Sequence, residues 1–187
     1  MTSPRHLLLS LFFLMTMPGL PAVAHVNADG VLSSERKRET LRDLTGVQVI
    51  VEPLPDETER AGLKAERLQH DIEGQLSHAG IRVLSEDERR NQPGFPFLYV
   101  GVTTVKSAAT YSYAIDISLN QTVNLTRHPT IATFAPTWTV QATGVVSESR
   151  LTAIADHVHD FIGRFIEDYR TMNAPDEDKI REVPNRY

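Results

Sequence analysis

The sequence predicts an α+β fold, a two-layer sandwich of two helices on one face of a mixed, mostly antiparallel five-stranded sheet, in the order β-α-β-β-β-β-α. Three observations predict it. An apolar run, an amphipathic helix and a second apolar run follow one another between Val47 and Leu84. The fifty residues from Phe97 to Val146 then carry only three charges, Lys106, Asp116 and Arg127, although 23% of the chain is charged. A long amphipathic stretch from Leu151 to Met172 closes the pattern. Elements with one apolar side must bury it against one another, and helices over one sheet face do so economically.

The first strand is read at Val47 to Val51 (VQVIV), which Pro53 and Pro55 terminate. A short apolar run bounded by turn residues fits a strand buried on both faces. Asp56 to Gly62 reads as a loop or a single turn. The spacing of Leu68, Ile72, Leu76 and Ala79 predicts a helix over Lys64 to Ala79, because these residues share one stripe. Gly80 stands where a left-handed C-terminal residue is wanted, and Ile81 to Leu84 (IRVL) reads as a second strand, parallel to the first. Ser85 and Glu88 have capping-box spacing for one helical turn. Three long strands follow: Phe97 to Lys106, Tyr111 to Leu125, and about Thr133 to Ser147, with Pro136 marking an irregular or edge start. From Tyr111 to Leu125 polar and apolar residues alternate with period two, which gives one buried and one polar face. Leu151, Ile154, Val158, Phe161, Ile162, Phe165, Ile166 and Tyr169 form the apolar stripe of the last helix. Residues 33–44 carry a weak helical pattern.

Residues 1–24 read as a signal peptide. Arg5 supplies the positive start, Leu7 to Met15 the apolar stretch, and Ala22-Val23-Ala24 the cleavage site. The expected organisation is therefore a leader (1–24), an N-terminal segment (25–45), one α+β domain (46–172) and a flexible tail (173–187). The chain has no cysteine, which excludes a lipid-anchored lipoprotein, disulfides and thiol chemistry. Arg5 is the only charge in the leader, so its removal takes the formal charge below −5, against a nucleic-acid partner. No apolar stretch of the mature chain is long enough to span a bilayer. The expected location is the periplasm.

The segments GVQVIVE, AGLKAERLQHDIEGQLSHAGIRVLSEDE, PFLYVGVTTVKS and TWTVQATGVV, followed by the terminal helix, resemble those of small exported bacterial proteins of unassigned function. The element order is also similar to that of the amino-terminal domain of the Tol-Pal translocation protein TolB. The resemblance implies a periplasmic interaction module and brings no catalytic or binding residue with it.

No catalytic motif is found: no G-x-S-x-G, no H-E-x-x-H and no glycine-rich phosphate loop. No cofactor is expected. His157 and His159 lie two apart on a helix and point about 200° from each other, so one metal cannot easily take both. His70, between Glu66 and Glu73, reads as a surface residue. His25 would begin the mature chain, where an amino group and an imidazole together can chelate copper if a second histidine joins them. That gives the alternative reading, a small secreted metal-binding protein or enzyme built on His25. The preferred reading is a non-enzymatic module that contacts a protein or cell-envelope partner, or a second copy of itself, through the charge-poor sheet face or edge. A helix layer on one side leaves the other side open, showing Ser112, Ser118, Asn120, Thr122, Thr137, Thr139, Gln141 and Thr143. Asp116 is the only acid there, and Tyr99 alternates onto the same face. Tyr99, Asp116, Thr122, Thr139 and Gln141 are the candidate binding residues, since charge-poor polar surfaces with an aromatic anchor are typical of interface centres. Trp138, in phase with Val140 and Ala142, is expected in the core.

Overall fold

A computed structural model describes residues 35–174. The leader, His25 and the tail from residue 175 lie outside the described residues. Strands β1 (Gln48–Val51), β2 (Phe97–Ser107), β3 (Thr110–Leu125) and β4 (His128–Ser147) form one sheet in the order β1-β2-β3-β4. The β1–β2 pair is parallel and the other two are antiparallel. The helices are α1 (residues 35–39), α2 (Asp56–Arg60), α3 (Ala65–His78), α4 (Glu86–Arg90) and α5 (Ala153–Met172).

Two parts of the expected fold are corrected. The sheet has four strands, not five, and helices are interspersed along the chain rather than limited to two. Ile81 to Leu84 makes only an isolated parallel bridge, Val47 with Val83. The Val47 amide donates to the Arg82 carbonyl (3.0 Å) and the Leu84 amide to the Val47 carbonyl (2.8 Å). No room remains for a longer ladder. Gly80 turns the chain out of α3 with φ 83°, a conformation that costs glycine little. Five residues later Ser85 caps the start of α4. The Ser85 hydroxyl accepts from the Glu88 amide, and the Glu88 carboxylate accepts from the Ser85 amide, a complete capping box. The helical pattern at residues 33–44 and the capping-box turn at 85–88 thus each correspond to a helix, while Asp56–Arg60, expected within a loop or a single turn, is also a short helix; none of the three is in the simpler order.

Alternation along β3 sends Tyr111, Ile115, Ile117 and Leu119 into the core. Leu98, Val100 and Val102 of β2 lie beside them in register, and Trp138 of β4 faces Leu119. The α3 stripe (Leu68, Ile72, Leu76) and the α5 stripe (Ile154, Val158, Ile162, Phe165, Ile166) close the same cluster from above. Trp138 meets Phe165 edge to face at 5.2 Å and donates its indole N–H to Asp168 (2.8 Å), so its one polar atom is satisfied. Thr104, buried on the core side of β2, pairs its hydroxyl with that of Thr58 on α2. Leu41 and Leu44 also belong to the core. Their segment is held by α5: Tyr169 donates to the Leu44 carbonyl (3.0 Å), and Asn173 donates to the Leu41 carbonyl (2.8 Å).

One irregularity shapes the surface. Leu119 pairs with Trp138 but Asn120 pairs with Pro136, so Thr137 is an extra residue. Pro136 cannot donate to a ladder, and a bulge is where sheets tolerate it. Thr137 was expected on the open face. Instead its hydroxyl donates to the Leu119 carbonyl and accepts from Gln121, on the side where Thr40 also meets the strand. Beyond the bulge the parity of β4 reverses, which puts Phe134 and Pro136 in phase with the open face.

Candidate functional site

Five cross-strand rows run over the uncovered face of β2, β3 and β4. They are Phe97–Asn120–Pro136, Tyr99–Ser118–Thr139, Gly101–Asp116–Gln141, Thr103–Ala114–Thr143 and Val105–Ser112–Val145. The first three rows line a concavity of about 410 Å³. Asp116 stands in the third of the five rows, on an interior strand, with Gly101 on one side and Gln141 on the other.

The glycine explains the shape. An added Cβ at Gly101 would lie 2.9 Å from the Tyr99 hydroxyl, so the Tyr99 ring lies over the space that Gly101 leaves. From there the Tyr99 hydroxyl donates to Glu52 Oε2 at 2.7 Å, just past the end of β1. This bond, followed by partial burial and the negative charges of Glu52 and Asp116, pushes the Tyr99 pKa up to about 12. The phenol is therefore a fixed neutral donor at ordinary pH.

Asp116 is half-buried, and its Oδ1 is shut off from solvent without a hydrogen-bond partner among the described residues. An unpaired buried acceptor costs about 1–3 kcal/mol. The other polar side chains that line the concavity itself are neutral. Asn120 donates to the Ser118 hydroxyl (3.0 Å), and Lys37 reaches from α1 to the Thr139 hydroxyl at 3.4 Å. Phe97 forms one wall and packs against Phe134 at 5.9 Å between ring centres; Phe134 also approaches Phe95 at 6.5 Å.

Of the five residues singled out from the sequence, the fold brings Tyr99, Asp116, Thr139 and Gln141 to this one concavity. Thr122 is not among them. It pairs with Phe134 beyond the bulge, and its amide donates to the Gly94 carbonyl at 2.8 Å. Sequence reasoning missed Glu52, Phe97, Pro136 and Lys37. A signal did exist for the close approach: a glycine inside an otherwise continuous strand often marks a place where another group comes near.

The histidines are dispersed. His157 Nδ1 shares a hydrogen bond with the Tyr113 hydroxyl (2.9 Å), whereas His159 faces α3, with Nε2 4.0 Å from Asp71 Oδ2. A second cavity of about 250 Å³ lies there between α3 and the start of α5, lined in part by Arg67, Asp71, Thr152 and His159. Arg67 already pairs with Asp71 at 3.6 Å. Among the described residues no group of three or more histidine and acidic side chains is placed to hold a metal ion. His25 lies outside the described residues. Among those residues, too, no helix is long and apolar enough to cross a membrane.

Comparison with protein-family models, curated proteins and solved structures returns no match.

Proposed function

We propose that the protein is a non-enzymatic interaction module of the periplasm that holds a polypeptide or cell-envelope partner, a second copy of the chain included, against the open face of its sheet. The observation that carries this reading is the concavity that gathers Tyr99, Asp116, Thr139 and Gln141 on that face. Its surroundings support it. The face is poor in charge, its polar groups apart from Asp116 are hydroxyls and amides, and exposed aromatic and aliphatic side chains flank it, a composition suited to the centre of an interface. Phe134 is 52% exposed and Val145 66% exposed, both on the edge strand β4. The face is broad and shallow, which suits a polypeptide. The export part of the reading rests on the leader with its A-x-A site and on the resemblance to exported proteins.

Selection of displayed random peptides on the immobilised full chain tests the binding part. Enriched peptides should lose at least tenfold in affinity on Thr139→Lys, which places a long charged side chain over the concavity. They should retain affinity on Glu73→Lys, on the helix layer. Peptides that bind both variants equally would refute the face as the contact surface, and so would a selection that enriches nothing. Sedimentation of the wild type and Thr139→Lys chains asks separately whether a second copy is the partner. Export is read from the mass of the chain recovered from the periplasm, expected to begin at His25.

A further inference from the structure

Resting on that reading of the face, we propose that the concavity is the seat for one basic side chain, a lysine or an arginine, of an extended partner polypeptide. The Asp116 carboxylate has no donor and joins no ion pair among the described residues; its Oδ1 is sealed, which leaves the other oxygen to meet an incoming donor. Three cations come near the sheet, and none pairs with Asp116: Arg89 lies over the outer wall, 5.5 Å from the Phe97 ring centre, and donates to Gln48. Lys37 reaches Thr139, and Lys106, at the far end of β2, is held by Glu148 (2.7 Å) and Glu57 (3.5 Å). A buried carboxylate that lacks a donor is completed by a group bringing both N–H donors and positive charge. Glu52, on the other side of Tyr99, adds a second negative charge to the same rim. An anionic ligand is repelled by both. A neutral hydroxyl could donate one bond but would leave the charge uncompensated. A metal ion would find too few ligands.

The walls fit the rest of such a side chain. Tyr99 offers ring surface to its methylene stem and to the cation itself, and Phe97, which already carries Arg89 at 5.5 Å, adds an apolar wall. Ser118, Thr139 and Gln141 offer oxygens to its remaining N–H groups. The pattern along the strands points to a polypeptide rather than a free amine. Apolar side chains are exposed at both ends of the face, Phe95 and Phe134 at one end, Val105 and Val145 at the other, and Asp116 lies in the middle row. From the first row to the fifth is about 27 Å at strand rise. An extended segment of about nine residues with apolar ends and a basic centre matches that length and order.

The test uses the full chain and two synthetic nonapeptides, acetyl-Leu-Ser-Gly-Ser-Arg-Ser-Gly-Ser-Leu-amide and the same peptide with citrulline for arginine. Citrulline keeps the shape and removes the charge. Binding is followed by amide chemical shifts, with arginine amide as a third arm. The expected result is that the arginine peptide binds at least tenfold more tightly than the citrulline peptide and shifts Asp116, Ser118 and Gln141. Asp116→Asn should abolish that preference. Equal affinity of the two peptides on the open face would overturn the basic seat and leave the interaction module standing. Binding of neither peptide, or shifts elsewhere, would overturn the seat as well. Arginine amide binding as tightly as the nonapeptide would overturn the polypeptide as its source. The comparison of peptides on the wild-type chain does not depend on the variant folding.

Discussion

On β3 the side chains of Tyr111, Ile115, Ile117 and Leu119 are sealed beneath α3 and α5, while Ser112, Ala114, Asp116 and Asn120, interleaved with them, look out from the uncovered side. The two faces share a backbone, a register and a twist, so differences between them come from side chains and from what covers them. On the core face polar groups are mostly paired: Thr104 with Thr58, Trp138 with Asp168, Tyr113 with His157. Each face keeps one sealed polar atom without a partner, the Tyr111 hydroxyl on the core side and Asp116 Oδ1 on the open side. A tyrosine in a core contributes a large ring whatever its hydroxyl does. An aspartate on a solvent-facing strand contributes almost nothing to packing, and threonine, common on the same face, would suit a strand better. Its cost finds no return in packing, and the proposed binding role would supply one. The proposed function puts stability and recognition on opposite faces, so substitutions should separate them.

The largest effect should come from the core face. Phe165→Ala removes the ring that Trp138 packs against and should cost about 3–5 kcal/mol. A urea midpoint shift would show it, with peptide binding unchanged in the fraction that remains folded. Thr139→Lys should do the reverse: affinity falls at least tenfold, while the lost Lys37 bond costs only about 1 kcal/mol of stability. Asp116→Thr should raise stability by about 1 kcal/mol, because it removes an unpaired acceptor and adds a β-branched residue, while arginine-peptide binding is lost. If Asp116→Thr proves destabilising, the carboxylate has a structural partner and the contrast between the faces fails.

The titration of Tyr99 sharpens the same contrast. Folding raises its pKa from the ordinary value near 10 to about 12. The folded state thus favours the protonated phenol. Its small stabilising contribution is complete below about pH 10 and is lost as the pH rises through about 12. Ultraviolet difference spectra of the wild type and of Glu52→Gln should differ by a late-titrating tyrosine, Tyr99, which the variant brings back toward 10. The smallest effect should be that of Tyr111→Phe, which removes an unpaired buried hydroxyl from the core. Thermal denaturation should show a change of no more than about 1 kcal/mol, with no effect on binding.

Much of this contrast was legible in the sequence because period two on a long strand assigns each residue to a face without ambiguity. The alternation from Tyr111 to Leu125 put Asp116, Ser118 and Asn120 on one face, and charge depletion marked that face. Local rules also held where the chemistry is local, as in the Ser85–Glu88 capping box. The departures have non-local causes. Ile81 to Leu84 has the composition of a strand, but its length is set by Gly80 on one side and the cap of α4 on the other. Thr137 left the face because a bulge reversed the phase of β4, and Pro136 announced an irregularity without saying where the extra residue would lie. Thr122 has the right parity but lies past that bulge. Glu52 joined the site through a tyrosine that could bend over Gly101, a contact across 47 residues that no spacing reveals.

Hydrogen–deuterium exchange on the full chain, free and saturated with peptides selected on it, tests the central claim most directly. The account predicts slowed exchange in β3 and β4 around Asp116, Ser118, Thr139 and Gln141, with α3 and α5 unchanged. Protection centred on His159, Asp71 and the cavity between α3 and α5, with β3 and β4 unaffected, would contradict it.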